Sequence, residues 1–251
     1  MTWRTAITDA RPNEVRVRGH RVDELMGRVS FGEAVYLILR GDLPSADVGR
    51  LVEAILVACV DHGPAAPSAA TTRRVAGTGA PLNAAVAAGL LAVNRFHGGA
   101  IEGCMAVLTD AVGRGAEAVV SEARAAKRRL PGFGHRMHTA DPRTARLYEL
   151  AGEAGISLTH LEAARAVEAA LEAASGRALP INVDGAIAAC LCDLGFSAEV
   201  ANAFFLAGRL VGLVAHTLEE RSRERPMRRF SETDFEYDGP APRDVPTVDE
   251  R

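Results

Sequence analysis

Ser197-Ala-Glu-Val-Ala-Asn-Ala-Phe-Phe-Leu-Ala-Gly208-Arg209-Leu-Val-Gly212-Leu-Val-Ala-His216-Thr-Leu-Glu-Glu-Arg-Ser222 reads as one long, strongly apolar helix. Arg209 and His216 are seven residues apart, so both fall on one face of it. An arginine inside so apolar a helix is costly unless it meets an anion. A structural carboxylate would serve, and so would a bound substrate carboxylate. Arg209 also interrupts the apolar stretch, so no run reaches the roughly 20 residues needed to span a bilayer.

Outward from this helix, almost every segment repeats the helical period. Patterns cover about 100–112, 115–129, 141–154, 159–175 and 184–195. Ser30-Phe-Gly-Glu33 is a capping box that starts the run Ala34 to Leu39. Gly41 and Pro44 break the chain, and Ser45 restarts it into a helix ending near His62. Pro81 opens a small-residue helix that neighbours can approach closely, and Asp141-Pro142 reads as N-cap plus first helical residue. Ser197-x-Glu199 begins the long helix quoted above. Strand-like alternation is confined to Thr5–Thr8 and Val15–Arg18 around the turn-like Asp9–Asn13, which predicts a short β-hairpin. The predicted class is all-α. Beyond Glu219 the chain turns charged and then Pro-rich, which predicts an irregular tail.

The 251 residues suffice for one large domain or two modest ones. With 29 basic and 32 acidic residues, the net charge of -3 gives no reason to propose nucleic acid or an anionic membrane as partner. Cys59, Cys104, Cys190 and Cys192 form no C-x-x-C unit, which speaks against zinc, and reduced thiols suit the cytoplasm. The opening residues lack an apolar signal core.

Three histidines sit beside glycines: Asp61-His62-Gly63-Pro64, Phe96-His97-Gly98-Gly99 and Gly132-Phe133-Gly134-His135-Arg136. Glycine lets backbone N–H groups approach a ligand, although a helix-terminal histidine can also be a simple cap. No H-x-x-x-H pair places two of them on one helix face, so metal is unforced. Asp184, in Asn182-Val-Asp184-Gly185, is either an N-cap carboxylate or a base at the edge of an apolar site. Arg143, Arg209 and Arg225 are candidates for gripping a small polycarboxylate. Lys127-Arg128-Arg129 is either a solvated helix end or, beside the Gly-rich loop, a phosphate site.

Taken together these segments resemble the citrate synthase superfamily over about Arg18 to Arg225. To the motifs above the match adds Gly19-His-Arg-Val-Asp-Glu-Leu25, Gly208-Arg-Leu-Val-Gly212 and Arg225-Pro226. The resemblance implies a citrate synthase-like helical fold: a large domain from 1–102 and 204–251 around a small domain near 103–203. It implies that His97 steadies the enol of a thioester, that Asp184 moves the α-proton of the acyl-CoA, and that His135 handles the proton on the oxaloacetate carbonyl or citryl hydroxyl. It implies carboxylate ligands at His62, Arg143 and Arg209, with Arg225 donated across a homodimer interface. Gly132, Phe133 and Gly134, with Arg128 and Arg129, would lie against coenzyme A, which enters as part of the substrate; no tightly bound cofactor is expected.

One departure directs the choice within the superfamily. Citrate synthases usually carry an aromatic residue after the catalytic-type aspartate, whereas here Gly185 follows Asp184. That feature, with Asp61-His62-Gly63-Pro64 and the short length, looks more like citryl-CoA lyases and the lyase module of ATP-citrate lyase. That module usually lacks the histidine before its Gly-Gly pair, which this chain has as His97. The expected activity is therefore cleavage of citryl-CoA to acetyl-CoA and oxaloacetate. Condensation by a citrate or 2-methylcitrate synthase is the alternative. A non-catalytic acyl-CoA-binding homologue is a third reading, opposed by the presence of His97, His135 and Asp184 together.

Overall fold

The structure, a computed structural model, describes residues 2–134, 141–227 and 236–242. It opens on three short antiparallel strands, β1 (Thr8–Arg11), β2 (Glu14–Val17) and β3 (His20–Arg21), in the order β1-β2-β3. The hairpin was expected to begin at Thr5; instead Arg11 pairs with Glu14 around a two-residue turn at Pro12-Asn13. Proline presets the turn, and Asn13 takes the left-handed conformation at φ 65 that asparagine tolerates. The first strand therefore shifts towards the turn, and a third strand joins the pair.

The rest is helical. A single turn, α1 (Val22–Leu25), leads to α2 (Phe31–Arg40), whose capping box forms as the sequence predicts. Next come α3 (Ala46–Cys59), α4 (Pro67–Ala76) and α5 (Leu82–Leu91). α4 has no counterpart in the periodicity reading, because its Thr-Thr-Arg-Arg centre lacks an apolar stripe; the proline at its start was the available signal. α6 (Ala100–Arg114), α7 (Ala116–Ala125), α8 (Pro142–Glu153), α9 (Thr159–Ser175), α10 (Val183–Asp193) and α11 (Ala201–Arg223) complete the set. Asp141 caps α8 through Arg143 N–H. Ser197 opens only a 3₁₀ turn, Ala198–Val200, and α11 starts after it.

α10 is the centre of the main core. Every residue from Gly185 to Leu191 is buried, and α6, α8 and α9 pack around it. A helix apolar on all sides needs such enclosure. A second cluster joins α7 and α9 through Val119, Val120, Val167 and Leu171. A third joins α4, α5 and α11 through Ala69, Val86 and Leu213. By length and composition alone, the stretch Ala198–Arg223 could cross a membrane. On its inner face Arg209, His216, Thr217 and Glu220 are buried, where such groups need polar partners from the protein.

Candidate active site

His97 lies between α5 and α6 in a tight turn closed by paired backbone bonds with Asn94, 2.7 and 2.8 Å. Its Nε2 accepts from the Ser68 backbone N–H at 3.3 Å and sits 2.8 Å from the Ser68 hydroxyl. Ser68 is in the first turn of α4, where N–H groups have no helical partner and the helix end is positive. Because an amide N–H can only donate, Nε2 is an acceptor and the ring proton resides on Nδ1. Burial pushes the His97 pKa down, and the charges of Arg209 and His62 push it further. His97 is thus a neutral imidazole with one N–H to give. Phe205 of α11 meets its ring edge-on, 5.6 Å between centroids.

Asp184 stands in the first turn of α10, but it is not the cap. That role belongs to Asn182, whose side-chain oxygen accepts from Gly185 N–H at 3.1 Å. Asn182 also donates from Nδ2 to the Gly134 carbonyl at 2.9 Å and from its backbone to the Gly132 carbonyl at 3.0 Å. The Gly-rich loop is thereby tied to the start of α10. The approach is so close that a Cβ on Gly185 would overlap the Gly132 carbonyl oxygen. An aromatic residue cannot occupy this position in this packing.

Arg209 is 3% exposed. Its Nε donates to the Cys59 carbonyl at 2.8 Å, and its guanidinium stacks on Phe205 at 4.8 Å. Its Nη1 is buried without a hydrogen-bond partner among the described residues. Burial lowers its pKa, the mark of a cation short of compensation. Arg143 is held from behind by Asp141 through two bonds of 3.0 and 2.8 Å. His62 follows the end of α3, on a loop rather than on the helix itself. Partial burial lowers its pKa first, and Arg143 and Arg209 add to the effect.

These side chains converge. His62, His97, Arg143, Asp184 and Arg209 line one cavity of about 340 Å³, with Cys59, Phe205 and Asn182. Burial pushes the Cys59 thiol up to about 12, so it is an inert wall. A neighbouring groove of about 910 Å³ holds Arg128, Arg129, Gly132 and Phe133, and Arg95, Phe96, Ala100 and Asn182 belong to both linings. Gly134 is beside the groove through its bond from Asn182. Arg225 is exposed beyond the end of α11 and does not line the cavity. His135 lies outside the described residues. Sequence reading missed Ser68, Asn182, Arg95 and the pairing of Asp141 with Arg143. Pro67-Ser68 at a helix start was a usable signal for the first. Among the described residues, no group of three or more His, Cys, Asp or Glu could hold a metal ion.

The arrangement presents three cationic or donor groups to a polycarboxylate, a neutral imidazole donor to a developing oxyanion, and a carboxylate to move a proton. Proteins of known structure share this fold. The structure of citryl-CoA lyase from Hydrogenobacter thermophilus is 42% identical, with a TM-score of 0.92 over 98% of each chain. Methanosaeta concilii ATP citrate lyase, in complex with (3S)-citryl-CoA, is 26% identical with a TM-score of 0.84, covering 96% of this chain and 42% of that one. The probable ATP-citrate synthase subunit 1 of Neurospora crassa is 29% identical over 93% of this chain and 38% of its own length. The chain thus spans about two fifths of the length of the curated relatives it matches first. A family model described as citrate synthase, C-terminal domain, matches residues 44–229. The matched span begins before α3 and ends after α11, taking in every helix that lines the cavity; the chain belongs to the citrate synthase family.

Proposed function

We propose that this protein is a citryl-CoA lyase, cleaving citryl-CoA to acetyl-CoA and oxaloacetate. The observation that carries the reading is the shared cavity of His97, Asp184, His62, Arg143 and Arg209, contiguous with a groove of about 910 Å³ that Arg95, Arg128 and Arg129 help to line. Likeness over nearly the full length of the Hydrogenobacter thermophilus lyase supports it.

In this reading the carboxylates of the citryl group sit on Arg209, Arg143 and His62. His135 takes the hydroxyl proton. The carbon–carbon bond breaks, its electron pair moves into the thioester, and the His97 Nδ1–H supports the resulting enolate oxygen. Asp184 delivers a proton to the carbon, which completes acetyl-CoA, while the hydroxyl carbon becomes the keto carbon of oxaloacetate. Each placed proton transfer supplies about 10²–10⁴-fold. No water takes part, so the thioester survives.

A homodimer belongs to the same proposal. α5 and α11 leave Leu82, Leu91, Leu210, Val211 and Leu218 exposed, Leu91 by 81%. A second copy covering these residues would bury this apolar surface, and the exposed Arg225 is free to reach a neighbouring copy in such a pair. A cytoplasmic location fits the four free cysteines. Incubation of the purified protein with citryl-CoA tests the activity. Oxaloacetate without free CoA supports the lyase, CoA with citrate supports the synthase, and neither product refutes both.

A further inference from the structure

His62 is carried by a loop that has to be held still. Its neighbour Asp61 accepts from Gly63 N–H at 2.9 Å through one carboxylate oxygen and from His216 Nε2 at 3.0 Å through the other. His216 is 8% exposed on α11. Gly208, Gly212 and His216 recur every four residues and share one face of that helix. A Cβ on Gly208 would overlap the Leu56 carbonyl oxygen, and one on Gly212 would overlap that of Val60. α11 therefore lies backbone against backbone along the end of α3, and the next residue of the seam reaches the loop. Behind His216, Arg73 Nη1 approaches Nδ1 at 3.5 Å while binding Glu219 at 2.6 Å and, through Nε, Glu220 at 2.7 Å. A guanidinium only donates, so Nδ1 accepts and Nε2 carries the proton given to Asp61.

We propose that His216 and Asp61 are positioning residues for His62: their bond locks the loop so that the His62 imidazole stands beside Arg143 and Arg209, setting affinity for the carboxylate end of the substrate. Neither His216 nor Asp61 lines the CoA groove, so the effect expected is on the 2-oxo acid end. This inference rests on the citryl-CoA reading for its substrate.

The test compares His216→Phe, His216→Gln and Asp61→Asn, with melting temperature to verify folding. His216→Phe should raise KM for citryl-CoA about tenfold or more, with kcat within about threefold of wild type. It should weaken oxaloacetate binding in calorimetry by a similar factor and leave CoA binding unchanged. His216→Gln, whose amide replaces the Nε2–H, should restore most of the affinity. Asp61→Asn keeps an acceptor for Gly63 but turns a donor towards His216, and should resemble His216→Phe. The proposal is overturned if folded His216→Phe binds oxaloacetate like wild type, or if His216→Gln is as impaired as His216→Phe. Should His216→Phe fail to fold, unaltered oxaloacetate binding by Asp61→Asn overturns it equally. Wild-type protein that binds oxaloacetate but does not cleave citryl-CoA would sink the functional reading alone, and the calorimetry would still decide the positioning role.

Discussion

The backbone N–H of Ser68 donates to Nε2 of His97 across 3.3 Å, which leaves the ring proton on Nδ1. A helix N-terminus thus holds an imidazole neutral and aims its single N–H at the chemistry. Replacing that donor should remove support for the enolate oxygen. His97→Phe is expected to lower kcat by about 10²–10³ with citryl-CoA, the cost typical of a lost oxyanion donor. CoA binding by calorimetry should stay near wild type.

The pH dependence follows from the direction of two shifts. His97 and His62 both titrate below the usual 6.5 in the folded protein. The unfolded chain therefore binds more protons near pH 6, and stability present above 6.5 is lost as pH falls through the folded values. Chemical denaturation between about pH 5 and 7 should show stability falling on acidification, with a shallower slope in His97→Gln. The acid limb of kcat/KM should likewise lie below 6.5. Stability that rises on acidification across this range would contradict the neutral-imidazole assignment.

Arg209 is a buried cation whose Nη1 lacks a hydrogen-bond partner among the described residues. Removing it should cost substrate binding far more than it costs the fold. Arg209→Met is expected to weaken oxaloacetate binding by about 2–4 kcal/mol, thirtyfold or more, because a charged pair is truncated in a desolvated site. Its melting temperature without ligand should equal or exceed that of wild type. Added oxaloacetate should raise the melting temperature of wild type and leave that of the variant unchanged.

Gly185→Ala places a methyl group where the Gly132 carbonyl now sits. The backbone on both sides is fixed by Asn182, so the loop has to move. Overpacking of this kind costs about 1–3 kcal/mol. Urea denaturation should show that loss, and CoA affinity should fall with it because Gly132 and Phe133 line the groove.

Five residues of the candidate site were legible before the fold was known, from histidines beside glycines, an aspartate at a helix start and arginines in capped or apolar helices. His62, His97, Arg143, Asp184 and Arg209 are far apart in the chain yet share one cavity. What the sequence could not reveal is who holds them. Ser68 reaches His97 only through the packing of α4, a helix whose polar centre hid it from periodicity. Asn182, rather than Asp184, caps α10 because the Gly-rich loop supplies it with an acceptor at Gly134, 48 residues earlier in the chain. The first strand was misplaced for a local reason: the Pro12-Asn13 turn set the register, and the weak alternation before it did not.

The direct test of the proposed chemistry is cleavage of citryl-CoA in D2O by wild type and Asp184→Asn, with products weighed by mass spectrometry. Wild type should yield oxaloacetate and acetyl-CoA in equal amounts, each acetyl group carrying one deuteron from the carboxyl of Asp184, with no free CoA. Asp184→Asn should bind CoA normally and turn over about 10²–10⁴-fold more slowly, the contribution of one placed proton transfer. Release of free CoA with citrate, or an Asp184→Asn variant that deuterates acetyl-CoA at the wild-type rate, would contradict it.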